Sequence, residues 1–261
     1  MASQVQSEGQ EAGAAIDPMH QFEVHSLYDL PTIMGVDTSF TNSSLWMVLS
    51  VGSIIILMSL MARSTSIVPG RMQSLGELTY GFIAGMVKQN VGTEGMKYFP
   101  FIFSLFMFIL FCNMLGMLPY SFTVTSHLIV TFALAASVFI LVTAVGFMKH
   151  GIGFLKLFVP SGIPAVLLPL LVVIELISYL TRPVSLSVRL FGNMMAGHTM
   201  LKIFGGFVVG LSSAGLIPLA IAPFALMVAF TGLELLIAGL QAYVFTVLTC
   251  IYLNEAIHMD H

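Results

Sequence analysis

The segment Ser185-Leu-Ser-Val-Arg-Leu-Phe-Gly-Asn193 sets an arginine, Arg189, inside a run that is apolar for tens of residues on either side. A guanidinium at bilayer depth costs roughly 2.5–3.5 kcal/mol by insertion measurements. It stays protonated in proteins, so it cannot lose its charge to escape the cost. Its helical neighbours three and four residues away are Ser185, Leu186, Gly192 and Asn193, and none is a carboxylate. Compensation must come from another helix, a water-filled cavity or another protein. Any fold for this chain has to meet that demand.

The surroundings of Arg189 are those of a membrane protein. Of 261 residues, 57% are hydrophobic and only 8% charged, with a mean hydropathy of +0.99, whereas soluble proteins carry about 25% charged residues. The apolar runs are long and continuous, which predicts an all-α, polytopic bundle rather than a barrel. The net charge of −3 says little about nucleic acid, but no basic patch exists to bind it, and membrane lipids are the expected surroundings. Cys112 and Cys250 lie in apolar runs and read as small hydrophobes. His20, His25, His258 and His261 fall in polar termini without ligand spacing, so no metal and no cofactor is expected. Residues 1–29 carry Glu8, Glu11, Asp17, Glu23 and Asp29 but no Lys or Arg, unlike a secretory leader or an arginine-rich presequence. That favours a bacterial inner-membrane protein, with an organelle-encoded one as the alternative.

In chain order, residues 1–43 read as a polar tail with a mobile first part, and 44–258 as the integral membrane domain. Spanning helices are predicted at about 45–62, 98–118 and 128–149. Between the first two, residues 72–91 are amphipathic, with Leu75, Leu78, Phe82 and Met86 at helical spacing among Gln73, Glu77 and Lys88. This segment either lies along the membrane surface or packs on protein as a connecting helix. Arg63, Arg71, Lys88, Lys97, Lys149 and Lys156 gather in loops that the positive-inside rule assigns to the cytoplasm. The N-terminus and the turn at 119–127 then face the periplasm. From Ile163 to Leu253 the chain is almost continuously apolar, and hydropathy permits two crossings or four. The clearest break is Ser212-Ser-Ala-Gly215, followed by Pro218 and Pro223.

Polar residues inside this last stretch fall at regular intervals. Glu175, Arg182 and Arg189 are seven residues apart, close to two turns, and lie along one stripe. Glu234 and Gln241 are also seven apart. An antiparallel fold about residues 212–217 brings Arg189 level with Gln241, and His198 level with Glu234. The two levels are about 10–14 Å apart along the helices. His198, nine residues from Arg189, points to the opposite side of an ideal helix. Glutamate and histidine, with reference pKa values of about 4.3 and 6.5, exchange protons where arginine does not. The pattern predicts two proton-accessible regions separated by a fixed positive charge. Asn113 either bonds a neighbouring backbone or lines a polar route. Arg182, followed by Pro183, reads as structural, neutralising Glu175 or snorkelling outward, and Lys202 as a snorkeller.

The run Ser178-Tyr-Leu-Thr-Arg-Pro-Val-Ser-Leu-Ser-Val-Arg-Leu-Phe-Gly-Asn-Met-Met-Ala-Gly-His198 resembles the signature of subunit a of F-type ATP synthases. The block from Gly232 to Thr249 resembles that family's last helix, and Phe111-Cys-Asn-Met-Leu-Gly-Met-Leu-Pro-Tyr120 a third conserved segment. The resemblance implies five spanning helices plus a membrane-surface helix, the last two (163–211 and 215–254) forming a long tilted hairpin. It implies that Arg189 is the essential arginine, with Gln241 and Asn193 as conserved companions. Many bacterial members have an acid where this chain has His198 and a histidine where it has Glu234. The exchange seen here is that of mitochondrial and alphaproteobacterial members.

The function implied is that of a proton-channel stator subunit, not catalytic alone. Its partners would be a ring of c subunits, the b-type peripheral stalk and the other synthase subunits. Protons would pass His198 and Glu234, with Asn193, Ser185 and Asn113 along the route, to a carboxylate on the ring. They would leave past Glu175, and Arg189 would keep the two half-channels apart. Other classes fit less well. A secondary ion-coupled transporter is the alternative, but no internal repeat is visible. A voltage sensor needs more arginines at short spacing than Arg182 and Arg189. An intramembrane metalloprotease needs a His-Glu-x-x-His motif, which is absent.

Overall fold

The computed structural model describes residues 20–28, 39–63, 68–118, 121–159 and 167–258. The segment expected to be mobile, residues 1–19, lies outside them, as do Pro119, Tyr120 and the first residues of the expected fourth crossing. Six α-helices carry the described fold: α1 (Asn42–Ala62), α2 (Arg71–Val91), α3 (Phe99–Gly116), α4 (Leu128–His150), α5 (Leu168–Ser213) and α6 (Ile217–Ile257). Before α1, the short strands β1 (Ser26–Tyr28) and β2 (Phe40–Thr41) pair antiparallel. Thr41 then caps α1, its hydroxyl accepting the Ser44 N–H at 3.4 Å.

Five of these helices are long and apolar enough to cross a membrane, and α2 is the sixth, non-spanning one. Their outer faces display Ile55, Ile56, Ile140, Leu170 and Leu236, which fits lipid as the solvent. The chain is therefore an all-α polytopic membrane protein. The stretch that hydropathy left open between two and four crossings holds two helices, of 46 and 41 residues. At 1.5 Å per residue they run about 69 and 62 Å, twice a hydrocarbon core of about 30 Å and far more than an upright crossing needs. They turn at Ser212-Ser-Ala-Gly215. Gly215 takes φ +77, its N–H bonds Ser212 O at 3.1 Å, and Leu216 N–H bonds Leu211 O at 3.0 Å. This is a Schellman closure, which favours glycine at the left-handed position.

The core lies where α3, α4, α5 and α6 meet, with Ile102, Phe106, Val138, Leu190, Phe245 and Leu253 fully or nearly buried. Helix α2 divides in two. Its second half buries Ile83, Ala84, Met86 and Val87 against the bundle, while its first half leaves Met72, Leu75 and Leu78 exposed. The second half is thus a connecting helix packed on protein. Contacts sort the helix ends. Lys149 at the end of α4 pairs with Glu94 before α3, and His150 Nε2 bonds the Ile257 carbonyl at the end of α6 at 3.1 Å. The other end holds the segment 121–127. Expected as a simple turn, it tucks between α3, α4 and α5, burying Thr123, Val124, Thr125 and Ser126.

Candidate functional site

Along α5, Leu186, Ser187, Leu190, Met194 and His198 recur at three- and four-residue intervals and form the buried face. Ser185, Arg189 and Asn193 therefore fall on an adjoining face, and all three are exposed. On α6 the buried face comprises Glu234, Ala238, Gln241, Ala242 and Phe245. Alanines at 238 and 242 leave room for neighbouring helices to approach closely.

His198 and Glu234, expected at one depth, meet. Nδ1 of His198 lies 3.3 Å from Oε1 of Glu234, within ion-pair distance but without hydrogen-bond alignment. Both carboxylate oxygens of Glu234 are buried and make no hydrogen bond. The other ring nitrogen, Nε2, is 2.9 Å from the Thr123 hydroxyl. Gly197 makes the close approach possible, since a Cβ there would stand 2.8 Å from Glu234 Oε1. The second expected level differs. Gln241 accepts through Oε1 from Asn193 Nδ2 at 2.9 Å, and its own Nε2 is buried without a partner. Asn193 is one turn beyond Arg189. Among the described residues Arg189 makes no hydrogen bond and no ion pair. It projects from the hairpin on a different face from His198, as their nine-residue spacing requires.

Asn113 is wholly buried with both polar ends engaged: Nδ2 donates to the Ala238 carbonyl at 3.2 Å, and Oδ1 accepts from Thr125 at 2.8 Å. Glu175 is half-buried and, among the described residues, has no hydrogen bond or ion pair. Arg182 does not neutralise Glu175. It pairs with Glu255 of α6, and its guanidinium sits 5.4 Å from the Tyr179 ring centroid and 5.0 Å from that of Tyr252. Sequence reasoning passed over Thr123, Thr125, Gly197 and Glu255. Thr123 and Thr125 sit in a connection without periodicity, and Glu255 lies beyond the apolar run. Among the described residues no group of three or more His, Cys, Asp or Glu is placed to hold a metal ion.

Fold and site together define a polytopic helical membrane protein with ionisable side chains along its last hairpin, among them Arg189, which has no hydrogen bond or ion pair among the described residues. Residues 44–254 match the model of the ATP synthase A chain family. The chain is 58% identical over 247 residues to the ATP synthase subunit a of Pelagibacter ubique, covering 95% of this chain and 100% of that one. It is 59% identical to that of Parvibaculum lavamentivorans, covering 95% and 96%, and 57% identical to that of a Chelativorans species, covering 95% and 100%. The chain belongs to the ATP synthase A chain family.

Proposed function

We propose that this protein is the proton-channel stator subunit of an F-type ATP synthase in a bacterial inner membrane, with its N-terminus periplasmic and its C-terminus cytoplasmic. The observation that carries the reading is the contrast within α5. Arg189 stands exposed and unpaired on the hairpin flank, while the Glu234–His198 pair is buried on another face. An arginine on a membrane-embedded surface that finds no partner within its own chain calls for compensation from outside it, by water or by a partner of complementary charge. A ring of c subunits carrying carboxylates supplies that charge, and the small polar residues Ser185 and Asn193 flanking Arg189 suit close passage of the ring.

Protons enter from the periplasmic side past His198 and Glu234. The unbonded carboxylate oxygens of Glu234 and the free Nε2 of Gln241 are groups for water or a passing partner to satisfy. Asn193 and Gln241, held together, line the step next to Arg189, and Asn113 fixes α3 against this part of α6. The proton neutralises a ring carboxylate, the ring turns, and the proton leaves to the cytoplasm past Glu175. Arg189 favours the ionised carboxylate as it passes between the half-channels and bars a direct leak. At about 2.3 kcal/mol per charge per 100 mV, several protons are needed for each ATP made. The peripheral stalk holds the subunit against the ring, and ATP chemistry belongs to other subunits.

The test is proton pumping and ATP synthesis in vesicles carrying Arg189→Ala, with assembly of the complex verified. Coupled transport should fall to background in assembled complexes. Normal coupling would make Arg189 structural and end the two-channel reading.

A further inference from the structure

The Thr123 hydroxyl has two neighbours and one hydrogen. It lies 3.1 Å from the Gly116 carbonyl and 2.9 Å from His198 Nε2. Donating to Gly116, it offers its oxygen to an N–H at Nε2. Turned toward His198, it donates to a bare Nε2. In both states Nδ1 remains aimed at Glu234. We infer that Thr123 is a positioning residue for proton entry, a hydroxyl rotor that keeps Nε2 bonded whether or not it carries a proton. The inference rests on the half-channel reading above.

The packing around the rotor supports this. Thr123 is 5% exposed, so no bulk water replaces it at Nε2. A Cβ at Gly116 would stand 2.8 Å from Thr123 Cγ2, so the glycine both admits the side chain and presents the alternative acceptor. Gly116 O also accepts from Ser121 at 2.7 Å, and a carbonyl has capacity for both donors. Around His198 the charged groups are Glu234 from α6 and Lys202, one turn along α5. Helix α3 presents the Gly116 carbonyl. From α4, Thr131 bonds Ser187 at 3.1 Å, about three turns before His198 along α5, so it does not reach Nε2. His127 is turned onto the Phe122 ring, stacked at 4.9 Å. Thr123 is thus the group that meets Nε2.

Without the hydroxyl Nε2 loses its partner in both states, and the loss costs more for the charged imidazolium, whose N–H is left without an acceptor, than for the bare nitrogen of the neutral ring. The experiment compares ATP-driven proton pumping by the assembled synthase in vesicles over a range of pH on the periplasmic side. Thr123→Val should pump several-fold more slowly, with its pH profile displaced to lower pH. Thr123→Ser should match the parent in rate and profile. If the valine variant does not assemble, Thr123→Ala, which cannot crowd Gly116, carries the same expectation. A parental profile in the assembled valine or alanine variant overturns the inference. So does a serine variant as impaired as valine, which would assign the effect to the methyl group. Glu234→Ala separates the two levels. Undiminished pumping there sinks the half-channel reading itself, whereas loss there beside unaltered Thr123 variants sinks only the role given to Thr123.

Discussion

Arg182 and Arg189 sit seven residues apart on one helix and have opposite fates. Arg182 pairs with Glu255 and lies beside the rings of Tyr179 and Tyr252, so its charge is met within the chain. Arg189 is exposed and, among the described residues, unpaired. Both are permanently charged and both lie in long apolar helices, so residue type does not explain the difference. A charge met internally holds helices together. A charge left open is available to something outside the chain.

Exchanging the removals tests that distinction most severely. Arg189→Ala should leave the folded subunit as stable as the parent, because it breaks no hydrogen bond or ion pair among the described residues, while coupled proton transport is lost. Arg182→Ala should do the reverse. It strands Glu255 and should lower thermal stability by about 1–3 kcal/mol, between the values for exposed and buried pairs. Transport per assembled complex should persist. Adding Glu255→Gln should restore part of the stability, since no carboxylate is then left without its partner. Thermal unfolding of the detergent-solubilised complex and vesicle pumping read the two effects separately. Equal losses in both assays for both arginines would erase the contrast.

A smaller effect is expected at Gly197. A Cβ there meets the end of the Glu234 side chain, at 2.8 Å from Oε1 and 3.0 Å from Cδ. The carboxylate is the mobile end of its side chain, so it should swing aside at a cost of about 1 kcal/mol rather than unfold the hairpin. Gly197→Ala should therefore slow proton pumping several-fold with assembly unchanged. Gly210→Ala, where a Cβ meets nothing within 4 Å, is the control and should leave pumping intact. Slowing in both variants would point to helix flexibility instead of the placement of Glu234.

The contrast between the arginines was half visible in the sequence. A helix rises by a fixed amount per residue, so the Ser212–Gly215 break was enough to bring His198 level with Glu234, and they touch. The same geometry put His198 and Arg189 on different faces. It set the partner of Gln241 one turn off, because levels match only to within a turn while hydrogen bonds are made by one atom. For Arg182 the sequence offers Glu175, an acid on its own stripe, or the surface, and not Glu255, which lies where the apolar signal has ended. The buried segment 121–127 was illegible for a further reason. Its serines and threonines look like a solvated turn, and only the packing of α3, α4 and α5 around them makes them interior groups.

The smallest effect is expected at the ring beside the satisfied arginine. The Tyr179 hydroxyl bonds Thr143 of α4 at 2.7 Å, while its ring lies beside Arg182 and packs against Phe139 at 5.0 Å. Tyr179→Phe removes the hydroxyl and keeps the ring, so it separates the hydrogen bond from the cation–π contact. The loss should be about 1 kcal/mol, partly because the Thr143 hydroxyl retains the Phe139 carbonyl, 2.7 Å away, as an acceptor. Thr143 thus loses one bond and is not stranded. Stability should fall slightly, and Arg182→Ala in the Phe background should cost nearly as much as in the parent, because the ion pair and the ring are untouched. If the cost of Arg182→Ala instead vanished in that background, the hydroxyl, and with it the α4–α5 contact, would be what orients Arg182 toward Glu255.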